Sequence, residues 1–164
     1  ILTARAVGDK IALNFPSKKI TPSVTDDIIQ SFVNSTPTFV GVDGAWCLIA
    51  LADEAAVRQI KPNFELLKSH AQKVFIVTAA SAHTGYDFVS RCFGPAIGIN
   101  EDPVTGSAHC YLATYWGEKL NKLKLVGFQA SARTGVIACK LLPDSRVLLI
   151  GDSVIMGEVI PHWA

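Results

Sequence analysis

The segment Glu101–His109 concentrates reactive groups, with the sequence EDPVTGSAH. Its polar loop leads directly into a stretch of helical period, Ser107–Leu120. Gly106, Ser107 and Ala108 are small, so a ligand could come close to the first backbone N–H groups of that helix. These groups have no intrahelical partner and lie at the positive end of the helix dipole. The spacing therefore predicts a site for a carboxylate or a phosphate.

Asp102 is the candidate proton carrier of this segment. It lies five residues before Ser107, at the mouth of the predicted anion site, and could relay a proton to a bound substrate. Two alternatives stay open on these residues alone. Asp before Pro is a common turn residue, and Thr105 or Ser107 could serve only as the helix N-cap.

Other chemistries are excluded or disfavoured. A P-loop is excluded because no G-K-[ST] follows the glycine. A Ser-His-Asp triad is excluded because Ser107 and His109 are two residues apart on a helix and project about 200° apart. We expect His109 to be buried and hydrogen-bonded rather than catalytic. The remaining histidines, His70, His83 and His162, are expected to be solvated.

The four cysteines, Cys47, Cys92, Cys110 and Cys139, contain no C-x-x-C pair and no histidine at metal spacing. We expect neither a metal site nor a disulfide framework, and lone thiols favour a cytoplasmic location.

No basic segment followed by an apolar core opens the chain, and no apolar run reaches 18 residues. The sequence predicts no membrane span.

Composition sets further limits. The 164 residues are enough for one domain with a sizeable core. The net charge is +1, and no Lys/Arg cluster larger than Lys18-Lys19 occurs, so nucleic acid is not an expected partner. Hydrophobic residues make up 49% and charged residues 18%, which is apolar for a free-standing domain.

Strand patterns outnumber helix patterns along the chain. Hairpins are predicted at both ends of the first third, around the turns Gly8-Asp9 and Asp43-Gly44. The other predicted strands are 74–77, 88–93, 128–130, 136–141, 147–150 and 154–159. Short helices are predicted through Val33 after a cap within 25–27, after Asp53, and over 63–70. Tight turns between strands and one strong helix favour an α+β fold.

The EDPVTGSAH string, preceded by Asp87–Pro95 and followed by Phe128–Gly135, resembles the PhzF-like (phenazine-biosynthesis-like) isomerase family. The resemblance covers essentially the whole chain. It implies a diaminopimelate-epimerase-like fold, in which a curved, mostly antiparallel sheet wraps around a central helix. Two positions depart from the family pattern: Gly94 stands where Ala is usual, and Thr134 stands where Gly is usual.

The same resemblance implies the roles of individual residues. Asp102 matches the acid/base residue of the family's second half. Thr105, Gly106 and Ser107 match the substrate-binding helix start, with Gly106 and Ser107 at the substrate carboxylate. Nothing in the chain matches the principal acid/base glutamate of the first half.

The expected protein is thus the C-terminal half of a cofactor-independent isomerase or epimerase that moves a proton within a small carboxylated metabolite. Residues 1–16 would end the N-terminal half and 17–164 would form the second half, with the active site between them. The resemblance also implies a homodimer, and no metal, flavin or pyridoxal phosphate. A rival reading is a binding or scaffold protein that kept the fold and lost catalysis.

Overall fold

A computed structural model describes residues 1–154 and Gly157. Within these residues the strands are β1 Thr3–Val7, β2 Lys10–Pro16, β3 Thr21–Pro22, β4 Phe39–Asp43, β5 Trp46–Ala50, β6 Val74–Ala80, β7 Phe88–Phe93, β8 Lys124–Gln129, β9 Gly135–Leu142 and β10 Arg146–Gly151. These ten strands form one sheet in the order β1-β2-β10-β9-β8-β7-β6-β5-β4-β3. The pairs β5/β6 and β7/β8 are parallel, and the other seven neighbouring pairs are antiparallel.

Four helices accompany the sheet: α1 Asp27–Val33, α2 Glu54–Gln59, α3 Phe64–Lys68 and α4 Gly106–Leu120. The three short helices begin where the side chains of Asp26, Asp53 and Asn63 accept hydrogen bonds from backbone N–H groups. Such side-chain acceptors satisfy donors that a helix start leaves free. A single 3₁₀ turn, Pro95–Ile97, lies in the loop before α4.

Helix α4 lies against one face of the sheet and is buried on nearly all sides from Ala108 to Thr114. It packs on β8, β9 and β10. On the other side, Tyr111 donates a hydrogen bond to Asp43 at 2.8 Å, and the Trp116 indole donates to Thr78 at 2.9 Å. A helix buried all round needs apolar or small residues on every side, which α4 supplies.

Helices α1, α2 and α3 cover the opposite face of the central strands. Successive side chains of a strand point to opposite faces. Accordingly Leu48 and Ile76 belong to the core around α4, whereas Phe75 belongs to the core around α1–α3. Phe32 of α1 meets Phe75 edge-on, with ring centroids 5.8 Å apart. Burial on both faces accounts for much of the high apolar content.

The α+β fold and the two predicted hairpins are confirmed. The short strand β3 was not predicted, and β8 begins at Lys124, four residues before the strand predicted over 128–130. Most of the strand predicted over 154–159 lies outside the described residues, and so does His162.

The expectation of a solvated His70 is wrong. This side chain is only 6% exposed, because it packs edge-on against Phe75 and meets the N-cap residue Asp26 at 2.7 Å.

Within residues 1–154 and 157, no helix is both long and apolar enough to cross a membrane.

Candidate active site

Asp102 lies in the loop that joins β7 to α4, and its backbone is held by the sheet. Its N–H donates to the carbonyl of Cys92 at 2.9 Å. Its carboxylate oxygen Oδ2 accepts a hydrogen bond from the hydroxyl of Thr105 at 2.6 Å. The side chain of Asp102 is half-buried. The structure therefore brings two of the predicted site residues, Asp102 and Thr105, into direct contact.

Gln129, the last residue of β8, connects this loop to the sheet. Its Oε1 accepts from the N–H of Thr105 at 2.8 Å, and its Nε2 donates to the carbonyl of Asp102 at 2.6 Å and to Oγ1 of Thr105 at 3.1 Å. Gln129 is 1% exposed. Buried polar side chains are costly unless hydrogen-bonded, and here the amide oxygen and the amide nitrogen both have partners.

Glu101 is fixed from the other side of the loop by Arg91 of β7. The guanidinium Nε and Nη2 donate to the two carboxylate oxygens at 2.8 and 2.9 Å. Nη1 donates to the carbonyl of Ile60 at 2.8 Å. Glu101 is thus engaged in a bidentate ion pair and is not available as a free acid or base.

The start of α4 has no side-chain cap. Thr105 occupies the N-cap position, yet its hydroxyl makes no capping bond because it donates to Asp102 instead. Gly106 follows as the first helical residue, and Ser107 is exposed. Thr105 is therefore the N-cap by position only, and the backbone N–H groups of this first turn keep their capacity to bind an anion.

A cleft of about 480 Å³ opens beside this helix start. Gly106 lines it together with Val104, Arg133, Thr134 and Gly135. Asp102, Thr105 and Ser107 do not line it. Apolar side chains of β2, β9 and β10 form much of the remaining wall, including Leu13, Leu149 and Ile150, and Asp152 and Ser153 also line the cleft. Gly135 is required here because a Cβ would lie 2.2 Å from a methyl group of Val104.

His109 is fully buried, as expected from the sequence. Burial lowers the pKa of His109 to about 4, so the imidazole is neutral near pH 7. Its Nδ1 lies 2.8 Å from the carbonyl oxygen of Thr105. A carbonyl can only accept, so Nδ1 carries the hydrogen and Nε2 is bare; among the described residues Nε2 has no partner. This histidine supports Thr105 and does not reach the cleft.

Cys92 lies behind the loop and is 3% exposed. Burial raises the pKa of the Cys92 thiol to about 12; a hydrogen bond with Thr105 lowers the pKa, and the nearby carboxylates of Asp102 and Glu101 raise it. A neutral thiol is a poor nucleophile. Within residues 1–154 and 157, no group of three or more His, Cys, Asp or Glu side chains has the arrangement of a metal site.

The sequence did not predict the roles of Gln129 and Arg91. Gln129 carried one signal, a long polar residue at the end of an otherwise apolar strand pattern. Arg91 carried a similar one, a single cation within a strand that is otherwise apolar or small. Neither signal identifies the partner, which only the strand order and register supply.

A mixed, mostly antiparallel sheet thus carries on one face a helix whose uncapped start follows an oriented aspartate. Residues 14–158 match the family model described as phenazine biosynthesis-like protein. The chain belongs to this phenazine biosynthesis-like (PhzF) family, which confirms the resemblance.

Several relatives support this assignment. A protein of Halalkalibacterium halodurans named as an uncharacterized isomerase is 44% identical over 94% of this chain and 58% of its own length. The phenazine biosynthesis-like domain-containing protein 2 of Mus musculus is 35% identical over 96% of this chain and 60% of its own length.

The fold also matches solved structures. A PhzF-family phenazine biosynthesis protein of Enterococcus faecalis has a TM-score of 0.87 at 32% identity, covering 95% of this chain and 59% of the other. A PhzC/PhzF protein of Clostridium difficile has a TM-score of 0.85 at 34% identity, covering 98% and 61%. The chain thus spans about three fifths of the length of these relatives.

Proposed function

We propose that the complete protein containing this chain moves a proton within a small carboxylated metabolite, with Asp102 as an acid/base group. The observation that carries the proposal is the position of Asp102. Its carboxylate is oriented by the hydroxyl of Thr105, three residues along the chain, at the entrance to an uncapped helix start. A positioned acid or base contributes about 10²–10⁴-fold to a proton transfer.

The substrate carboxylate would bind at the first turn of α4. The backbone N–H groups of Gly106 and Ser107 would donate to it, and the small side chains leave room for its approach. Arg133, on the wall of the adjacent cleft, adds a cation at the same end of the helix. Thr105 would bind no substrate through its own N–H or hydroxyl, because both are engaged by Gln129 and Asp102.

We propose further that the chain is the C-terminal half of this enzyme, in a diaminopimelate-epimerase-like fold. Residues 1–16 would close the N-terminal half and 17–164 would form the second. The relatives' additional length supports this division, since two fifths of each lies outside the match. The N-terminal half would complete the active-site cleft and supply the second acid/base group, in a cytoplasmic homodimer that needs no metal or organic cofactor.

The test measures the exchange of carbon-bound hydrogens of candidate substrates with solvent deuterium. The full-length protein would be incubated in D₂O with a panel of small α-amino and α-hydroxy carboxylates, and loss of each C–H signal would be followed by proton NMR. Asp102→Asn should reduce the exchange rate at least a hundredfold, within the range of acid/base catalysis. The matched control is Asp144→Asn, an exposed turn aspartate with φ +64°, a conformation that Asn tolerates. Exchange by Asp102→Asn within threefold of wild type would contradict the proposed role.

One further measurement tests whether the chain is half of an enzyme, and a second separates the proposal from a binding or scaffold protein. The isolated 164-residue chain should be inert in the exchange assay and should bind a hydrophobic dye, because the cleft of about 480 Å³ has an apolar wall. A full-length wild-type protein that exchanges no C–H hydrogen in the panel, yet binds one of its carboxylates, would favour the binding protein.

A further inference from the structure

We propose that Gln129 and Thr105 give the two carboxylate oxygens of Asp102 different roles. Oδ2 accepts a hydrogen bond from the Thr105 hydroxyl, and Oδ1 is the atom that takes up and releases the proton. This inference rests on the proposed acid/base function of Asp102. It assigns Gln129 as a positioning residue that acts through Thr105.

The orientation of the Gln129 amide follows from its partners. The N–H of Thr105 can only donate, so the atom 2.8 Å from it must be the amide oxygen. The amide nitrogen then faces the carbonyl of Asp102 at 2.6 Å, which can only accept. Both contacts require the same orientation, and the reversed amide would lose both.

The orientation of the amide fixes the hydroxyl of Thr105. Nε2 of Gln129 donates to Oγ1 of Thr105 at 3.1 Å and thereby occupies an acceptor position of that oxygen. The hydroxyl hydrogen is then directed to Oδ2 of Asp102 at 2.6 Å, because a carboxylate oxygen is a stronger acceptor than the nearby Cys92 sulfur. Hydrogen bonds to a charged acceptor are the short and strong ones.

This arrangement disfavours a proton on Oδ2. A proton on Oδ2 would convert this charged acceptor into a hydroxyl oxygen, which is a poorer acceptor, and would weaken the short hydrogen bond from Thr105. Among the described residues, no side chain or backbone donor makes a hydrogen bond to Oδ1. Oδ1 is therefore the oxygen that can take up or release a proton without disturbing the network.

Water does not replace these contacts easily. Gln129 is 1% and Thr105 is 7% exposed, and the Thr105 carbonyl is also engaged, by the Nδ1–H of His109. A lost contact inside such a buried network leaves an unsatisfied polar group, which is costly. The orientation of Asp102 is thus set by the fold before any substrate binds.

The test compares Thr105→Val with Thr105→Ser in the full-length protein. Val keeps the shape and the N–H that Gln129 accepts, but removes the hydroxyl, whereas Ser keeps the hydroxyl. Using the carboxylate that wild type exchanges fastest, kcat for C–H exchange should fall about tenfold to a hundredfold in Thr105→Val, with KM within twofold. Thr105→Ser should stay within threefold of wild type. Equal kcat values for Thr105→Val and Thr105→Ser would overturn the proposal.

Gln129→Glu tests the direction of the hydroxyl. The measurement is made at a pH high enough to ionise the buried glutamate, since burial raises the pKa of a carboxyl group. The ionised side chain keeps the shape and still accepts from the N–H of Thr105. It accepts from the hydroxyl instead of donating to it, and it leaves the carbonyl of Asp102 without a donor. We expect a loss of kcat similar to that of Thr105→Val. Wild-type kcat in a Gln129→Glu protein with an unchanged circular dichroism spectrum would overturn the role of Gln129.

A measurement without substrate separates this inference from the proposed function. In wild type labelled at threonine, the Thr105 hydroxyl proton should exchange with solvent slowly enough to be seen by NMR, and Gln129→Glu should shift its resonance. No slowly exchanging Thr105 hydroxyl proton would overturn the network even in an active enzyme. A visible hydroxyl proton in a protein without exchange activity would leave the network intact and contradict only the acid/base role.

Discussion

The guanidinium of Arg91 donates hydrogen bonds to both carboxylate oxygens of Glu101, at 2.8 and 2.9 Å, and so fixes the side chain immediately before Asp102. The two side chains are 11% and 21% exposed. The third guanidinium nitrogen reaches carbonyls at the end of α2, including that of Ile60. Arg91 therefore connects the candidate catalytic loop to helix α2, which lies on the opposite face of the sheet from α4.

We predict that Arg91→Ala lowers the free energy of unfolding by about 2–3 kcal/mol, since breaking a mostly buried pair leaves a carboxylate without its partner. Urea denaturation measures the change. The matched control is Lys68→Ala, which removes an ion pair with Glu65 that is 45% and 82% exposed. Lys68→Ala should lower the free energy of unfolding by less than about 0.5 kcal/mol. Similar costs for both variants would contradict a structural role of the Arg91 pair.

Gly106→Ala should weaken substrate binding without harming the fold. The nearest atom to an added Cβ is Cδ1 of Leu149 at 3.9 Å, an ordinary contact, so the methyl group fits. It would occupy space at the first turn of α4, where the substrate carboxylate is proposed to bind. We expect KM to rise about tenfold, which corresponds to about 1.4 kcal/mol.

The control for this variant is Gly85→Ala, whose added Cβ would meet only the His83 ring, at 3.7 Å. Gly85 is exposed and does not line the cleft. KM should stay unchanged in Gly85→Ala. An unchanged KM in Gly106→Ala as well would place the carboxylate elsewhere.

The buried His109 should make stability depend on pH. Its pKa falls from 6.5 to about 4 on burial, so the unfolded chain binds more protons between these values. The stability linked to His109 is fully present above about pH 6.5 and is lost as the pH falls toward 4, by up to about 3 kcal/mol. His109→Gln removes the titration but keeps a donor for the Thr105 carbonyl. Urea denaturation between pH 4 and pH 7 should give a shallower slope for His109→Gln, and parallel slopes would contradict this.

Thr134→Gly should stabilise the chain. Thr134 adopts φ +59°, in the left-handed region that β-branched residues avoid, and its side chain is exposed. Relief of that strain, about 1–2 kcal/mol, outweighs the conformational entropy that Gly adds to the unfolded chain, about 0.4–1 kcal/mol. We expect a net gain of about 0.5–1 kcal/mol by thermal or urea unfolding. A loss of stability would show that the Thr134 side chain makes a compensating interaction.

Local rules were enough for most of the elements. The Asp43-Gly44 turn between alternating apolar runs predicted β4 and β5, and Asp26 and Asp53 marked helix starts. The position and length of α4 followed from helical period, with its start one residue earlier than predicted. These features depend on interactions between residues a few positions apart, and such interactions can be predicted from the sequence directly.

The sequence by itself also determined the family, because the EDPVTGSAH string carries the resemblance that the family model confirms. Only the tertiary structure decided what the residues of that string touch. The parallel pairing of β7 with β8 sets Ser90 opposite Gln129 and so brings Gln129 under the loop of Asp102 and Thr105, 24 residues from Thr105 in the chain. The burial of His70 depends in the same way on distant elements, since its partner Asp26 lies 44 residues away. Such contacts depend on strand order and register, and the hydrophobic pattern of a single strand specifies which face is buried but not which strand lies beside it.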